Sequence, residues 1–212
     1  MMNLVLQGFF ETLIMVSASF IIGIILGMPL AITLYSTSNK GLKENKYIYN
    51  LLGLLVNATR SIPYIILIIL LLPMSRFIVG TTIGVYAAII PLGLSAILLI
   101  AKAVEEALKT VPTGMIEVGV AMGASHKQII WKIIIPESMA NIVSNLTLVL
   151  INLVGFSAMA GTVGGGGLGD LAIRYGYQRY NIEIMLIIIL ILIVLIQLIQ
   201  VTGNKISNSK RK

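Results

Sequence analysis

The sequence predicts an all-α polytopic membrane protein with about five transmembrane helices and one large cytoplasmic loop. Only 11% of the 212 residues are charged and 58% are hydrophobic, with a mean hydropathy of +1.00, whereas a soluble domain carries about 25% charged residues. Several apolar runs reach the roughly 20 residues that a helix needs to cross a hydrocarbon core. These runs are continuous rather than alternating, which argues against a transmembrane β-barrel.

The predicted transmembrane domain occupies residues 8–203. Its five spans are expected at residues 9–35, 48–72, 82–101, 140–163 and 183–203. A loop at residues 102–139 is the largest soluble segment, and a basic tail follows at residues 204–212. The soluble segments are too short to bury a core of their own, so a single domain is expected. The first run lacks a basic leader and a small-residue cleavage site, which predicts a retained helix rather than a signal peptide.

The lysine and arginine residues predict the orientation of these spans. If the N terminus lies outside, 11 of the 15 basic residues fall in the inner loops and the tail, three fall outside, and Arg60 falls within the second span. Cytoplasmic loops carry an excess of Lys and Arg, so we expect the N terminus outside and both the C terminus and the loop 102–139 in the cytoplasm. The net charge of +7 then reflects topology and lipid headgroups, and no nucleic-acid partner is expected.

Glycine and proline residues mark two features of the apolar runs. Gly23 and Gly27 have the spacing that lets two membrane helices approach closely, although they are equally compatible with ordinary membrane glycines. Pro63, Pro73 and Pro91 either kink helices or mark their ends.

The chain contains no cysteine, which excludes structural disulfides and thiol chemistry.

The inner loop is predicted to form three short helices, with a break at residues 112–114, a turn at Gly123 and an end at Pro136. Ser125 is a candidate N-cap of the third helix, with Gln128 as its capping-box partner. An apolar face is predicted by four isoleucines at helical spacing, Ile129, Ile130, Ile133 and Ile134. Such a helix either lies on the inner headgroups or docks into a groove on a cytoplasmic partner.

The same loop resembles the cytoplasmic motif of ABC importer permeases of the binding-protein-dependent type. That motif consists of E-A-A, three residues, G, nine residues, I, any residue and L-P. Glu117, Gly123, Ile133 and Pro136 stand at the matching positions, while the alanines are replaced by Val118 and Gly119, and the leucine is replaced by Ile135. In the family, the motif holds a coupling helix that docks into the ATP-hydrolysing subunit. The resemblance therefore implies an ATPase-coupling site at Glu117, Val118, Gly119, Gly123, Ala124, Ser125, Ile133 and Pro136.

The resemblance implies a role for two residues of this motif. Gly123 would allow the sharp turn that presents the coupling helix, and Glu117 would brace the loop. The single histidine, His126, lies in the same loop, and one histidine without neighbouring ligands does not make a metal site.

Three longer stretches extend the resemblance over residues 8–203. They are "TRSIPYIILIILLLPMSRFIVGTTIG", "VEEALKTVPTGMIEVGVAMGAS" and "LVGFSAMAGTVGGGGLGDLAIRYGYQRYN", and they resemble the permease subunits of bacterial methionine importers. The resemblance implies the type I ABC importer permease fold, a place in the bacterial plasma (inner) membrane, and transport of L-methionine, with D-methionine as a further candidate. The alternatives are the same type of permease for another small amino acid or solute, an ion-coupled secondary transporter, and a membrane scaffold without transport activity.

The expected partners follow from the same resemblance. The chain has no G-x-x-x-x-G-K-S/T phosphate loop, so it is expected to be a transport subunit rather than an enzyme, without a cofactor of its own. ATP and Mg²⁺ would be bound by ABC ATPase subunits on the cytoplasmic face. A solute-binding protein outside, a second copy of the chain and membrane lipid complete the expected partners.

One glycine-rich segment formally matches a nucleotide-binding fingerprint. Gly164, Gly166 and Gly169 have the G-x-G-x-x-G spacing, but this motif must follow a strand inside a βαβ unit. Here it follows a predicted membrane helix, so we expect no nucleotide site. Its glycines are expected to form a tight turn at the outer mouth.

Five residues are candidates for the translocation pathway or its gate: Met159, Arg60, Asn145, Asn152 and Ser157. By resemblance, Met159 contributes to a gate, where a flexible thioether suits a constriction; the alternative is a packing residue. A guanidinium in lipid costs about 2.5–3.5 kcal/mol or more, so Arg60 lines the pathway, positions a helix or reaches the inner interface. Asn145 and Asn152 share a helix face and either bond between helices or line the pathway.

Overall fold

The computed structural model describes residues 2–39 and 41–211, and the side chains of Met2, Thr59 and Arg60 fall outside this description. In the described part, all regular elements are helical. Six helices have at least 16 residues: α1 (Met2–Thr37), α2 (Lys46–Ser61), α3 (Tyr64–Val79), α4 (Val85–Leu108), α7 (Ile135–Thr162) and α9 (Ile182–Lys210). The shorter helices are α5 (Thr113–Ala121), α6 (His126–Ile129) and α8 (Gly167–Leu171).

Four of the described helical segments are long and apolar enough to cross a membrane. They are Asn3–Thr37, Val85–Leu108, His126–Thr162 and Ile182–Lys210. The shorter apolar helix α3 has 16 residues and rises about 24 Å, less than the roughly 30 Å of a hydrocarbon core. This all-α polytopic architecture agrees with the fold class predicted from the sequence.

The second apolar run differs from the single span expected at residues 48–72, because it is divided between α2 and α3. Pro63 has no N–H to donate and disfavours helical geometry at the residue before it. Its carbonyl accepts hydrogen bonds from the N–H groups of Ile66 and Leu67, at 2.9 and 3.1 Å. Pro63 therefore marks a helix start, whereas Pro73 and Pro91 lie inside helices.

The expected helix end at Pro136 is wrong. A π-helical turn, Ile130–Ile134, joins α6 to α7, and the Ile135 N–H donates to the Ile130 carbonyl five residues earlier. The wider turn relieves the crowding that a proline ring imposes on the preceding turn of an α-helix. The chain therefore remains helical from His126 to Thr162.

Two other helix boundaries also differ from those expected from the sequence. Helix α4 begins at Val85 and continues to Leu108, so the first part of the predicted loop 102–139 belongs to this helix. Helix α9 continues to Lys210, so most of the predicted tail at 204–212 is helical. In both places the apolar run ends before the helix does, because a helix can extend beyond the hydrocarbon core on backbone hydrogen bonds alone.

Helix α4 is the centre of the fold, and it packs against α1, α3 and α7, while α7 packs against α9. The most extensive helix packing joins α1 to α4. A Cβ atom on Gly23 would lie 2.7 Å from the Ala96 Cβ, and one on Gly27 would lie 2.7 Å from the Ile97 carbonyl oxygen. These two glycines therefore permit close helix packing, as the first of the two alternatives predicted.

Candidate functional site

The loop between α4 and α7 reverses direction at Gly123, which has a φ of +75°. The Ala124 N–H donates to the Gly119 carbonyl at 3.0 Å, and the Gly123 N–H donates to the Val120 carbonyl at 2.9 Å. These two bonds form a Schellman motif that ends α5, with glycine at the left-handed position. The predicted turn at Gly123 is confirmed, and the reason is conformational, because no atom lies within 4 Å of a Cβ placed there.

Two residues later, Ser125 is the N-cap of the next helix, α6. The Gln128 N–H donates to Ser125 Oγ at 3.4 Å, and the Ser125 N–H donates to Gln128 Oε1 at 2.8 Å. This is the predicted capping box. Together with the turn at Gly123, it fixes the direction in which the loop protrudes.

The predicted isoleucine face packs against the chain itself. Ile129 and Ile134 are buried, and Ile130 and Ile133 are half-buried. A Cβ atom on Gly119 would lie 2.6 Å from Ile133 Cδ1, so α5 rests closely on the turn that follows α6. This isoleucine face therefore packs mainly against the chain itself.

A different set of side chains forms the exposed surface of the loop, which we call the loop tip. It contains the exposed apolar residues Met115, Val118, Val120 and Met122. Met122 is 82% exposed and directly precedes Gly123. Glu117 is also exposed, and among the described residues no hydrogen bond or ion pair involves it. Ala124 is half-buried, while His126 and Pro136 are exposed.

A buried carboxylate anchors the base of the loop. Glu105 on α4 is 1% exposed and accepts hydrogen bonds from Lys102 at 2.9 Å and from Lys109 at 2.5 Å. The Tyr49 hydroxyl donates to the same carboxylate at 3.2 Å, which ties α2 to α4. Sequence analysis missed this cluster, although lysines three residues before and four after a glutamate have the spacing of helical ion pairs.

Lys109 stands at the point where α4 gives way to the loop. Burial disfavours its ammonium, but hydrogen bonds to Glu105 and Tyr49 outweigh burial and raise the pKa of Lys109 above its ordinary value. Its ammonium also lies 5.3 Å from the centre of the Tyr49 ring. The lysine therefore remains charged and holds α2 at the loop base.

Two amide side chains of α7 connect the same region to the rest of the bundle. Asn141 donates to Thr110 Oγ1 at 2.8 Å, and Asn145 donates to the Ala103 carbonyl at 2.8 Å. The hydrogen bond of Asn145 is one of its two predicted roles, namely bonding between helices. Both ends of the loop are thus hydrogen-bonded to each other, so a force on the loop tip reaches α4 and α7 together.

The other pathway candidates occupy different sides of α7. An exposed face of this helix, which we call the α7 face, contains Leu148, Asn152, Gly155, Met159 and Thr162. Ser157 is buried and donates to the Val154 carbonyl at 2.7 Å. It points away from the α7 face because it lies two residues before Met159, and residues two apart on a helix point to nearly opposite sides. The structure therefore brings Asn152 and Met159 together on one face and separates Ser157 from them. The Arg60 side chain lies outside the described residues.

At the other end of the bundle, α1 holds the glycine-rich segment. Glu11 Oε2 accepts from the Gly167 N–H at 2.7 Å, and Thr12 Oγ1 accepts from the Leu168 N–H at 2.9 Å. These side chains satisfy the first amides of α8, as capping residues do. Gly164, Gly166 and Gly167 all have positive φ, so the segment forms the expected tight turn. Sequence analysis missed the contribution of α1.

Comparison with known proteins identifies the family. Residues 19–208 match the family model of the binding-protein-dependent transport system inner membrane component. The probable D-methionine transport system permease protein MetI of Vibrio cholerae serotype O1 is 46% identical over 204 residues, covering 96% of this chain and 91% of the relative. The D-methionine transport system permease protein MetI of Escherichia coli strain K12 is 44% identical over 161 residues, covering 76% and 74%.

A solved structure agrees with these relatives. A chain of the MetNI methionine ABC transporter in inward-facing conformations superposes with a TM-score of 0.97 at 42% identity, covering 100% of this chain and 98% of that chain. The protein therefore belongs to the family of binding-protein-dependent transport system inner membrane components. It is a multi-pass ABC importer permease, as the motif at Glu117 to Pro136 predicted, and this family is one of membrane permease subunits.

Proposed function

We propose that this chain is the membrane-spanning subunit of an ATP-driven importer of methionine, that it forms the pathway as a homodimer, and that its loop tip docks onto separate ATPase subunits. The observation that carries the proposal is the exposed, rigidly anchored loop tip around Gly123. Two sets of names support methionine as the substrate. The relatives are named as D-methionine permeases, and the matching structure is that of a methionine transporter. We extend the proposal to L-methionine because a permease pathway need not distinguish the two enantiomers.

The docking role rests on what the loop exposes and what it buries. The isoleucine face stabilises the loop from within, while Met122 and Val118 are exposed at the tip. Methionine side chains adapt to irregular partner surfaces, and a short helix in a groove is a common mode of protein recognition. Because Lys109 and Asn141 tie the loop base to α2, α4 and α7, movement of a docked ATPase would move these helices as a rigid body.

The homodimer rests on the α7 face. Asn152 presents an exposed carboxamide in the middle of a membrane-spanning helix, and a polar side chain at that depth is expected to face protein or water rather than lipid. Gly155 permits close approach of another helix. A second copy related by a two-fold axis would place both α7 faces around a shared pathway, with Met159 near its constriction.

The remaining partners follow the orientation expected from the basic residues. With the loop tip in the cytoplasm, the glycine-rich segment and α8 lie outside. The family takes its description from dependence on a binding protein, so we propose that an extracytoplasmic solute-binding protein delivers the substrate at that end.

The first test is uptake of labelled methionine by cells that lack their own importer. The cells would express this chain with its neighbouring ATPase and binding protein. We expect saturable uptake that unlabelled L-methionine outcompetes, with D-methionine assayed separately. Gly123→Arg should abolish uptake while the protein still inserts, because the side chain both strains a left-handed position and obstructs the tip. Gly123→Asn is the control, since asparagine adopts this conformation readily, and it should retain uptake.

Three outcomes would change the proposal. No methionine uptake at normal membrane levels of all three proteins would remove the substrate and favour another small solute. Uptake that continues without the ATPase would favour an ion-coupled transporter. Normal uptake by Gly123→Arg would remove the coupling role of the loop.

The homodimer can be tested independently of transport. The chain has no cysteine, so Gly155→Cys introduces a single thiol on the α7 face. We expect oxidative cross-linking of two copies in the membrane, and we expect none from the control Leu190→Cys, which lies on the exposed surface of α9. Cross-linking by the control alone would refute the proposed interface.

A further inference from the structure

A small cavity lies beside the break between α2 and α3, and its lining includes two residues, Tyr64 and Ser95, whose buried hydroxyl groups have no hydrogen-bond partner among the described residues. The cavity measures about 30 Å³. Its walls are formed by Ile62, Tyr64, Leu67, Ser95, Leu98, Leu99 and Phe156, so α3, α4 and α7 meet there. Tyr64 is 6% exposed and Ser95 is 5% exposed. In the described part of the chain, neither hydroxyl has a hydrogen-bond partner.

These two hydroxyls are unusual because buried polar side chains are nearly always hydrogen-bonded, and the rare exceptions need an explanation. Rotation of the phenol cannot easily supply a partner. The Tyr64 ring stacks on the Phe156 ring, with 4.3 Å between centroids and 2° between planes. The stack fixes the position of the phenol oxygen, so its partner must come to the cavity.

The size of the cavity limits what that partner can be. A water molecule needs about 10–15 Å³ of accessible space, whereas small-molecule sites measure about 300–1,000 Å³. The cavity therefore accepts water but no amino acid. Water also has the right chemistry, because it can donate to one hydroxyl and accept from the other, in either direction.

The backbone beside the cavity gives an independent reason for water. Helix α2 ends at Ser61 within an apolar run, so the last carbonyl groups of α2 lose their helical partners. One of these, the Asn57 carbonyl, is satisfied by Ser61 Oγ at 2.9 Å. Breaks in membrane helices are tolerated where side chains or ordered water satisfy the freed groups. The cavity lies beside this break, and Tyr64 and Ser95 bring hydroxyl groups to its otherwise apolar wall.

We propose that the cavity is a hydration site in which one water molecule bridges the Tyr64 hydroxyl on α3 and the Ser95 hydroxyl on α4. The bridge positions the first turn of α3 against α4, directly after the break. Because Phe156 lies one turn before Met159 on α7, the hydrated joint and the candidate gate share a helix. This site rests on local geometry alone and does not depend on which solute the protein carries.

The direct test is an experimental density map of the full chain at a resolution that shows other buried waters. We expect density for one water within about 3.2 Å of both hydroxyl oxygens, and its loss in Tyr64→Phe, which retains the ring stack. An unoccupied cavity would overturn the proposal. So would a direct hydrogen bond between Tyr64 and Ser95 that closes the cavity.

A double-mutant cycle on thermal unfolding supplies a second readout. We expect Tyr64→Phe and Ser95→Ala each to lower the midpoint temperature by a few degrees, and the double variant to lower it no further than the larger single change, because one bridge is lost in all three. Additive effects, or no effect of either single change, would overturn the bridge. The controls are Tyr86→Phe and Ser17→Ala, which remove exposed hydroxyls and should leave the midpoint unchanged.

Discussion

Glu11 on α1 accepts a hydrogen bond from the Gly167 N–H at 2.7 Å, joining two residues that are 156 positions apart in the chain. The neighbouring Thr12 accepts from the Leu168 N–H at 2.9 Å. A Cβ atom on Gly167 would lie 2.7 Å from Thr12 Oγ1, so only glycine fits this approach. Helix α1 therefore sets the position of α8.

Thr12→Val should destabilise the protein by about 1–3 kcal/mol, because the buried Leu168 N–H loses its acceptor while the side-chain shape is retained. Thermal unfolding of the purified protein measures the change. Thr33→Val is the matched control, since the exposed Thr33 hydroxyl bonds only to carbonyls of its own helix. Equal midpoints for the two variants would contradict the capping role.

Glu105→Gln should destabilise the loop base by about 1–3 kcal/mol, because Lys102 and Lys109 both lose the negatively charged carboxylate with which they pair. The cost is lower than for a fully buried ion pair because Lys102 and Lys109 are partly exposed to solvent. Hydrogen exchange should show faster opening of α2, which the Tyr49 hydroxyl ties to Glu105. Glu106→Gln, an exposed neighbour at 4.0 Å from Lys102, should change stability by less than about 1 kcal/mol.

Gly27→Val should strongly lower the amount of folded protein, because a Cβ there would lie 2.7 Å from a backbone oxygen of α4. Overpacking of this kind costs about 1–3 kcal/mol or more. Gly53→Val makes the same change at a glycine with no atom within 4 Å of the added Cβ, and it should be tolerated. Size-exclusion profiles of both variants in detergent decide between close packing and a passive role for Gly27.

Gly119→Ala should keep nearly normal uptake, whereas Gly119→Leu should lose it. The nearest atom to an added Cβ is the terminal Ile133 Cδ1, at 2.6 Å, and the end of a flexible side chain can shift for a single methyl group. A leucine would push α5 away from the isoleucine face. Uptake is compared at matched membrane levels of the two variants. Normal uptake by the leucine variant would show that the position of α5 is unimportant.

Short-range features of the loop could be predicted because they depend on residues close together in the chain. The capping box links residues three positions apart, and the turn at Gly123 depends on the conformational freedom of one glycine. The prolines were harder to interpret. Pro63 begins a helix, while Pro136 lies inside one, and the difference depends on a π-helical turn that no periodic pattern predicts.

The candidate site was only partly predictable for the same reason. The motif identified the loop, but it did not predict that the isoleucine face would pack mainly against the chain itself or that Met122 and Val118 would be exposed. Asn145 and Asn152 look equivalent seven residues apart, yet Asn145 bonds to α4 and Asn152 lies on the exposed α7 face. Which side of a helix meets a neighbour depends on packing, and packing depends on every other helix.

The sequence by itself determined the membrane class, the approximate number of crossings and the loop motif, because apolar run length and local spacing are properties of a single segment. Only the tertiary structure decided that Glu11 would cap α8, that Glu105 would join α2 to α4, and that Tyr64 and Ser95 would share one cavity. Each of these pairs brings together polar groups that are distant in the chain. Burial in an apolar bundle makes such groups seek partners, but which partner each one finds depends on how the helices pack.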